Sequence, residues 1–271
     1  MTIRTSAGVV LAFLWLAGCM GHFASKPGIY DTSHDRVEFP KRTLDVTYAK
    51  PVSPKSPVLV VFATGDAGWF GVCSDVFEHL AEKGYYMAGF DSKEFVKHNR
   101  TTGERTSIQE SAKGMATAFA HAKQALGLPE STPVIVTGDS RGAGLAVFAS
   151  AEPNLRKGVI GAVAIALTPE SDYLRAPDPE TRHAGIKVDE KDRILFYPIL
   201  PLLAPMPVAV IQSTSDRYCP AAESRRLMGP DTPTLRLYEV KARNHGFDGG
   251  RQQALADLDD ALTWIEASRR N

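Results

Sequence analysis

The chain has 271 residues, 44% of them hydrophobic, and equal numbers of basic and acidic residues, 31 of each. This length and composition suit one α/β domain with a substantial core. The formal net charge is zero, and no cluster of Lys and Arg is interleaved with aromatic residues, which argues against nucleic acid as a partner. The cysteines and histidines lack the spacing of metal ligands, and no phosphate-binding P-loop is present. We therefore predict neither a metal nor a cofactor.

The first 19 residues have the features of an export signal. Arg4 precedes an apolar run, Ala7–Ala17, that is too short to span a bilayer. The run leads into a short LAGC motif that ends at Cys19 and resembles the lipobox of bacterial lipoproteins. We expect Cys19 to carry lipid, with an ordinary secretory peptide or an uncleaved anchor as the alternatives. Met20 stands where an aspartate would signal the inner membrane, so we expect a periplasmic protein held by lipid on the outer membrane.

Residues 20–42 contain Gly, Pro, Ser and charges without periodicity and are predicted to be a tether. Residues 43–271 alternate strand-like apolar runs with helical stretches, which predicts a doubly wound, mainly parallel sheet. The predicted strands are Leu44–Tyr48, Val58–Phe62, Tyr86–Phe90, Pro133–Val136, Gly158–Leu167, Val208–Gln212 and Leu235–Val240. The predicted helices cover residues 74–83, 108–126, 143–149, 221–227 and 252–267.

Residues 171–205 interrupt this alternation. They are polar at first and then apolar with spaced prolines. Such a segment is typical of a cap or lid over an active site. A surface loop that packs a small satellite core fits the same residues.

A serine motif follows the fourth predicted strand. The sequence Gly138-Asp139-Ser140-Arg141-Gly142 stands between that strand and a run of good helix formers. Strand, Gly-X-Ser-X-Gly and helix together are the context of a nucleophile elbow, whose two glycines let the strand and the helix approach each other. The turn projects the Ser140 hydroxyl from the C-terminal edge of the sheet. Ser140 is therefore the predicted nucleophile.

The serine needs a base and an acid that orients the base. Folds with this elbow supply them in the chain order Ser, acid, His. Asp216 follows the penultimate predicted strand and His245 follows the last one, so these two complete the predicted triad. Asp172, which follows the strand that ends at Leu167, is the alternative acid.

The backbone amides of Arg141 and Asp66 are the predicted oxyanion hole. Arg141 begins the helix after the elbow, and Asp66 lies in the loop after an earlier central strand. A plain helix N-terminal turn is the alternative for this loop, and the two interpretations are compatible.

Several aspartates follow predicted strands, at the sheet edge where ligands bind. They are Asp66, Asp91, Asp139 and Asp172. Their charge favours a cationic acyl group on the substrate, with Asp91 and Asp139 as candidate substrate-binding residues. Aspartate is also common after strands simply as a cap.

Cys73 and Cys219 are the two cysteines that follow the signal segment. Two cysteines in an oxidising compartment predict one disulfide. Both segments leave strands at the same edge of the predicted sheet, on either side of Ser140. Two unrelated buried thiols are the alternative.

Five motifs occur along residues 56–266: Gly65-Asp66-Ala67-Gly68-Trp69, Gly89-Phe90-Asp91-Ser92, Gly138 to Ala143, Asp216 with Cys219-Pro220, and Asn244 to Gly249. Together they resemble the VirJ/AcvB family of bacterial virulence proteins. The resemblance implies an exported α/β-hydrolase that acts on aminoacylated phosphatidylglycerol, with Ser140, Asp216 and His245 as the triad. The chain departs from the family pattern at Ala67, where a glycine is expected, and at Asp139, where an aromatic residue is common. The second departure bears on the substrate pocket.

We therefore expect the α/β-hydrolase fold with a small cap segment, and a membrane-tethered serine esterase whose substrate is a membrane phospholipid. A generic carboxylesterase or lipase is one alternative, which the apolar part of residues 171–205 would suit. A non-catalytic periplasmic interaction protein of a secretion or envelope system, built on the same scaffold, is another.

Overall fold

The computed structural model describes residues 23–96, 105–171, 173–177 and 185–269. The strands are β1 (Tyr30–Phe39), β2 (Arg42–Pro51), β3 (Leu59–Ala63), β4 (Tyr86–Phe90), β5 (Val134–Asp139), β6 (Val159–Ile165), β7 (Glu170–Ser171), β8 (Ile194–Leu195), β9 (Val208–Ser213) and β10 (Leu235–Val240). The helices are α1 (Val72–Glu82), α2 (Ser92–Phe95), α3 (Ile108–Leu126), α4 (Arg141–Ser150), α5 (Pro153–Arg156), α6 (Ala221–Met228) and α7 (Arg251–Ser268), with a 3₁₀ helix over Tyr197–Leu203.

Eight strands form one sheet in the order β1-β2-β4-β3-β5-β6-β9-β10. The six strands from β4 to β10 are parallel, and β1 and β2 run antiparallel at one edge. Every residue of β3, β5 and β9 is buried, as expected of strands covered on both faces by helices. The predicted doubly wound, mainly parallel sheet is confirmed.

Two apolar layers flank the sheet. On one face, α3 and α4 pack with the 3₁₀ helix and contribute Met115, Phe148 and Ile199 to the core. On the other face, α1 and α7 contribute Phe77 and Leu262. Among the described residues, none of the helices is long and apolar enough to cross a membrane.

The predicted tether is wrong over most of its length. β1 pairs with β2 over ten residues, from Tyr30 opposite Pro51 to Phe39 opposite Arg42. The middle of β1 is exposed, as is usual for an edge strand, and its polar sequence therefore lacks the alternation that predicts a strand. Residues 1–22, which include the predicted signal peptide and Cys19, lie outside the described part of the chain, as does Asp172.

The apolar half of residues 171–205 belongs to the core. Tyr197, Ile199, Leu200 and Leu203 of the 3₁₀ helix are buried, and this helix packs against α4 and α6. The short strands β7 and β8 pair with each other in an antiparallel arrangement. These contacts support the satellite-core interpretation for the apolar half, while Tyr173 and Arg193 of the more polar half line the cavity described next.

Candidate active site

Ser140 stands on a strained turn between β5 and α4. Its φ of 52° and ψ of −113° lie in a region that side-chain-bearing residues rarely adopt. A β-carbon at Gly138 would lie 2.4 Å from the Gly142 carbonyl carbon, and one at Gly142 would lie 2.0 Å from the Ala63 carbonyl oxygen. Both glycines are therefore required by close backbone packing, as the motif predicts.

Asp216 and His245 form a hydrogen bond at the same edge of the sheet. Asp216 lies in the loop after β9, is 1% exposed, and has its Oδ2 2.6 Å from His245 Nδ1. The Gln212 amide donates to Oδ2 and the Tyr218 backbone N–H donates to Oδ1, each at 2.8 Å. These donors fix the carboxylate in the orientation that holds the imidazole.

The other ring nitrogen of His245, Nε2, does not contact Asp216. Burial lowers the pKa of His245, but the hydrogen bond and charge of Asp216, helped by the charge of Asp139, raise the pKa above its ordinary value on balance. Nε2 is buried and has no hydrogen-bond partner among the described residues. His245 and Ser140 line one cavity, which suits the predicted role of His245 as the base for the Ser140 hydroxyl.

The cavity has a volume of about 530 Å³ and carries both signs of charge. Its charged lining residues are Asp66, Asp139, Glu170, Asp248, Arg141, Arg193, Arg217 and Arg251. Two aromatic side chains on its wall are unusually exposed, Phe70 at 76% and Tyr218 at 50%. They follow β3 and β9, which lie on opposite sides of β5 in the sheet, so the aromatic rings flank Ser140.

The predicted oxyanion residues lie beside the elbow. A β-carbon at Gly65 would be 3.3 Å from Ser140 Cβ, so the loop that carries Asp66 packs directly against Ser140. Asp66 and Arg141 line the cavity and their side chains form an ion pair. The Arg141 guanidinium also lies 4.1 Å from the centre of the Tyr173 ring. This placement suits the oxyanion role of the two amides, which stays a prediction.

The two predicted substrate-binding aspartates are separated by the structure. Asp91 does not line the cavity of Ser140: it caps α2 by accepting from the backbone N–H groups of Lys93 and Glu94, and it faces a neighbouring cavity. That part of the prediction is wrong, because a cap at a strand end is held by its own helix. Asp139 does line the cavity, although it is only 6% exposed.

The predicted disulfide is wrong. Cys73 and Cys219 are both free and buried. Cys73 belongs to the apolar layer of α1 and α7, whereas Cys219 belongs to the layer of α3 and α4 across the sheet. The Cys73 thiol accepts from the Gly65 N–H at 3.3 Å, and the Cys219 thiol lies 3.3 Å from the Ser224 hydroxyl. The two segments leave the same edge of the sheet but turn onto opposite faces.

Sequence reasoning missed the residues that support the triad. Gln212 is fully buried in β9 and holds Asp216, and the Tyr218 ring meets the His245 ring edge-on with 4.8 Å between their centres. An amide at the end of an otherwise apolar strand is the signal that could have identified Gln212, because a buried polar side chain needs a partner. Among the described residues, no three His, Cys, Asp or Glu side chains are grouped as metal ligands.

Neither a protein-family profile nor a curated protein matches the sequence. Solved structures do match. A candidate dienelactone hydrolase from Klebsiella pneumoniae is 14% identical, with 88% of this chain and 98% of that chain covered and a TM-score of 0.60. Est1E from Butyrivibrio proteoclasticus is 14% identical, with 86% and 99% covered and a TM-score of 0.59.

An α/β serine hydrolase without lid from Xanthomonas campestris matches in the same way, with 14% identity, coverage of 88% and 96%, and a TM-score of 0.55. The chain has the α/β-hydrolase fold. In an α/β-hydrolase the elbow serine stands above the sheet between the loops that carry the oxyanion amide, the acid and the histidine. Asp66, Asp216 and His245 occupy those loops here.

Proposed function

We propose that this α/β-hydrolase is a serine esterase with Ser140 as nucleophile, His245 as base and Asp216 as the acid that orients the base. The observation that carries the proposal is the 2.6 Å hydrogen bond between His245 Nδ1 and Asp216 Oδ2, at the same edge of the sheet as a strained serine elbow. Strain at Ser140 costs folding free energy and is retained where it positions a reacting group. Ser140 and the imidazole of His245 line one cavity, and the buried Asp216 holds the imidazole by a hydrogen bond. Acyl transfer requires a nucleophile, a base and an orienting acid in such an arrangement.

The reaction would proceed in two halves. Ser140 Oγ attacks the acyl carbonyl carbon while its proton passes to His245 Nε2, and the amides of Asp66 and Arg141 hold the resulting oxyanion. The C–O bond to the alcohol then breaks, and His245 returns the proton to that oxygen. A water molecule gives its proton to His245 Nε2 and attacks the acyl carbon of the acyl-enzyme. The bond from that carbon to Ser140 Oγ then breaks, His245 returns the proton to Oγ, and the free acid leaves.

For the substrate we propose the aminoacyl ester of phosphatidylglycerol, on a protein held at the periplasmic membrane surface by lipid on Cys19. The resemblance to the VirJ/AcvB family supports this choice. The cavity adds support, since an aminoacyl phosphodiester carries both signs of charge and the cavity does too. The exposed rings of Phe70 and Tyr218 offer apolar contact to a lipid at the cavity wall.

Two measurements test the proposal. A fluorophosphonate probe should label the wild type and not Ser140→Ala. Ser150→Ala is a matched control, because Ser150 lies on the same helix, is buried and uses its hydroxyl in no hydrogen bond to the described residues. Labelling that persists in Ser140→Ala would rule out Ser140 as the nucleophile.

The substrate is tested with vesicles that contain lysyl- or alanyl-phosphatidylglycerol. We expect release of the free amino acid by the wild type and none by Ser140→Ala. The similarity to solved esterase structures favours a second candidate, a carboxylesterase of small esters. Rapid hydrolysis of p-nitrophenyl acetate without any release of amino acid from the vesicles would favour that candidate. For the anchor, Cys19→Ser should leave the precursor unprocessed or free the protein from membranes.

A further inference from the structure

Asp139 differs from the other acidic residues of the active-site cavity. It precedes Ser140 directly in the chain. Among the described residues it forms no ion pair. The remaining acids on the cavity wall are each paired with an arginine: Asp66 with Arg141, Glu170 with Arg193, and Asp248 with Arg251.

The Asp139 carboxyl group is enclosed by backbone and by one thiol. Its Oδ2 accepts a hydrogen bond from Cys73 Sγ at 3.5 Å, and a β-carbon at Gly65 would lie 2.6 Å from the same oxygen. Its Oδ1 is buried and has no partner among the described residues. A buried carboxylate with one unsatisfied oxygen costs folding free energy, so its presence beside the nucleophile needs a reason.

His245 supplies that reason, because Asp139 and His245 line the same cavity and attract each other electrostatically. Burial raises the pKa of Asp139 to about 6, and the charge of His245 is the main effect that opposes this rise. In return, the charge of Asp139 contributes to the raised pKa of His245. Asp139 is only 6% exposed, so its charge is screened less than a charge at the protein surface would be.

We propose that Asp139 is a second acidic partner of His245, and that its buried charge stabilises the imidazolium that forms while Ser140 is acylated. This inference rests on the proposed function of the site. The proton moves from Ser140 Oγ to His245 Nε2 and then to the leaving alcohol, and Asp139 accepts it at no stage. Asp216 orients the ring through Nδ1, whereas Asp139 acts through its field alone. Asp139 is therefore a positioning residue and not a catalytic one.

Other charges near the pair act in both directions. Around His245, Asp216 raises the pKa and Arg217 lowers it. Around Asp139, the Cys73 thiol and Arg251 favour the ionised carboxylate, and Asp216 disfavours it. On balance Asp139 is mostly ionised at neutral pH and is neutralised as the pH falls through about 6. Its support of the imidazolium is therefore present above that pH and lost below it.

The substitution Asp139→Asn tests the proposal, because it removes the charge and keeps the shape. NMR titration of the His245 ring should show a pKa about one pH unit lower than in the wild type, a tenfold loss of proton affinity. The acid limb of kcat/KM should move by the same amount, and kcat should fall about tenfold with KM unchanged. Asp248→Asn is the matched control. Asp248 lines the same cavity three residues from His245, but its side chain is 53% exposed, so its charge is screened and the pKa should stay in place.

An unchanged pKa of His245 in Asp139→Asn would overturn the proposal. A second titration needs no variant and therefore does not depend on how well Asp139→Asn folds. In the wild type, the Asp139 carboxyl carbon should show an inflection at the pH where His245 titrates, because coupled charges affect each other equally. A single inflection, insensitive to His245, would also overturn it. Neither titration requires esterase activity, so the result is independent of the labelling test of Ser140.

Discussion

Gly142→Ala is the most direct test of how the elbow is built. The added β-carbon would lie 2.0 Å from the Ala63 carbonyl oxygen, 2.5 Å from the Ala63 carbonyl carbon and 2.6 Å from the Thr64 carbonyl oxygen. All three atoms belong to the backbone of β3 and the loop that follows it. No flexible side chain can move aside, so the strand end itself has to shift.

The size of the effect follows from these distances. Cβ atoms essentially never approach another atom closer than 3.0 Å, so the Ala63 oxygen must retreat by about 1 Å. Overpacking of a buried site costs about 1–3 kcal/mol when side chains can adjust, and we expect at least about 3 kcal/mol here because they cannot. The displaced loop carries the Asp66 amide, and a misplacement of about 1 Å in an active site reduces the rate about 100-fold.

Urea unfolding measures the free energy of unfolding, and the time course of fluorophosphonate labelling measures the rate at which Ser140 reacts. Gly158→Ala is the control, because a β-carbon there meets nothing within 4 Å and its φ is not in the left-handed region. It should change the free energy of unfolding by less than about 1 kcal/mol. If Gly142→Ala behaved like Gly158→Ala in both assays, close packing of α4 on β3 would not be the reason for the glycine.

Three further predictions concern the triad and the thiols. Asp216→Asn should fold normally and lose activity about 10⁴-fold, as measured by urea unfolding and ester hydrolysis; a mild loss would mean that another acid orients His245. The acid limb of the pH profile of wild-type kcat/KM should have its midpoint above about pH 6.5, because the pKa of His245 is raised. A lower midpoint would mean that the pKa of His245 is lowered instead. Cys73 and Cys219 should both titrate as free thiols in the denatured, unreduced protein. Cys73 should react slowly in the native state because burial raises the pKa of its thiol. If both thiols were missing from the titration, the disulfide prediction would be correct after all.

The elbow could be predicted from the sequence because its geometry demands particular residues at fixed spacing. Gly138 and Gly142 have no room for a β-carbon, and Ser140 has a backbone conformation that needs the turn around it. The order Ser140, Asp216, His245 along predicted strands then places the partners. Each of these inferences uses local steric requirements and the order of the strands, and both can be inferred from residue types and their spacing in the sequence.

The errors arise where the fold depends on contacts between distant segments. β1 is exposed along its middle, so only its pairing with β2 makes it a strand. For Cys73 and Cys219 the strand order correctly gave a common sheet edge, but the face onto which each loop returns is set by the helices that follow, α1 on one side and α6 on the other. The burial of Asp139 was hidden for the same reason, since it is enclosed by Cys73 of α1 and by Gly65 of the loop after β3.

The sheet register explains why the triad was easier to infer than the substrate. Ala63 at the end of β3 pairs with Gly138 in β5, and this register sets Gly142 against Ala63 and Gly65 against Asp139. A slip of one residue would turn every side chain of the strand to the other face, so the elbow and the loop that carries Asp66 are fixed as one unit. The walls that would contact a substrate, such as Phe70, Tyr173, Arg217 and Tyr218, lie in segments after strand ends, where no register constrains them. The sheet therefore fixes the positions of Ser140 and of the loop that carries Asp66, whereas the cavity walls lie in loops that the sheet leaves free to vary.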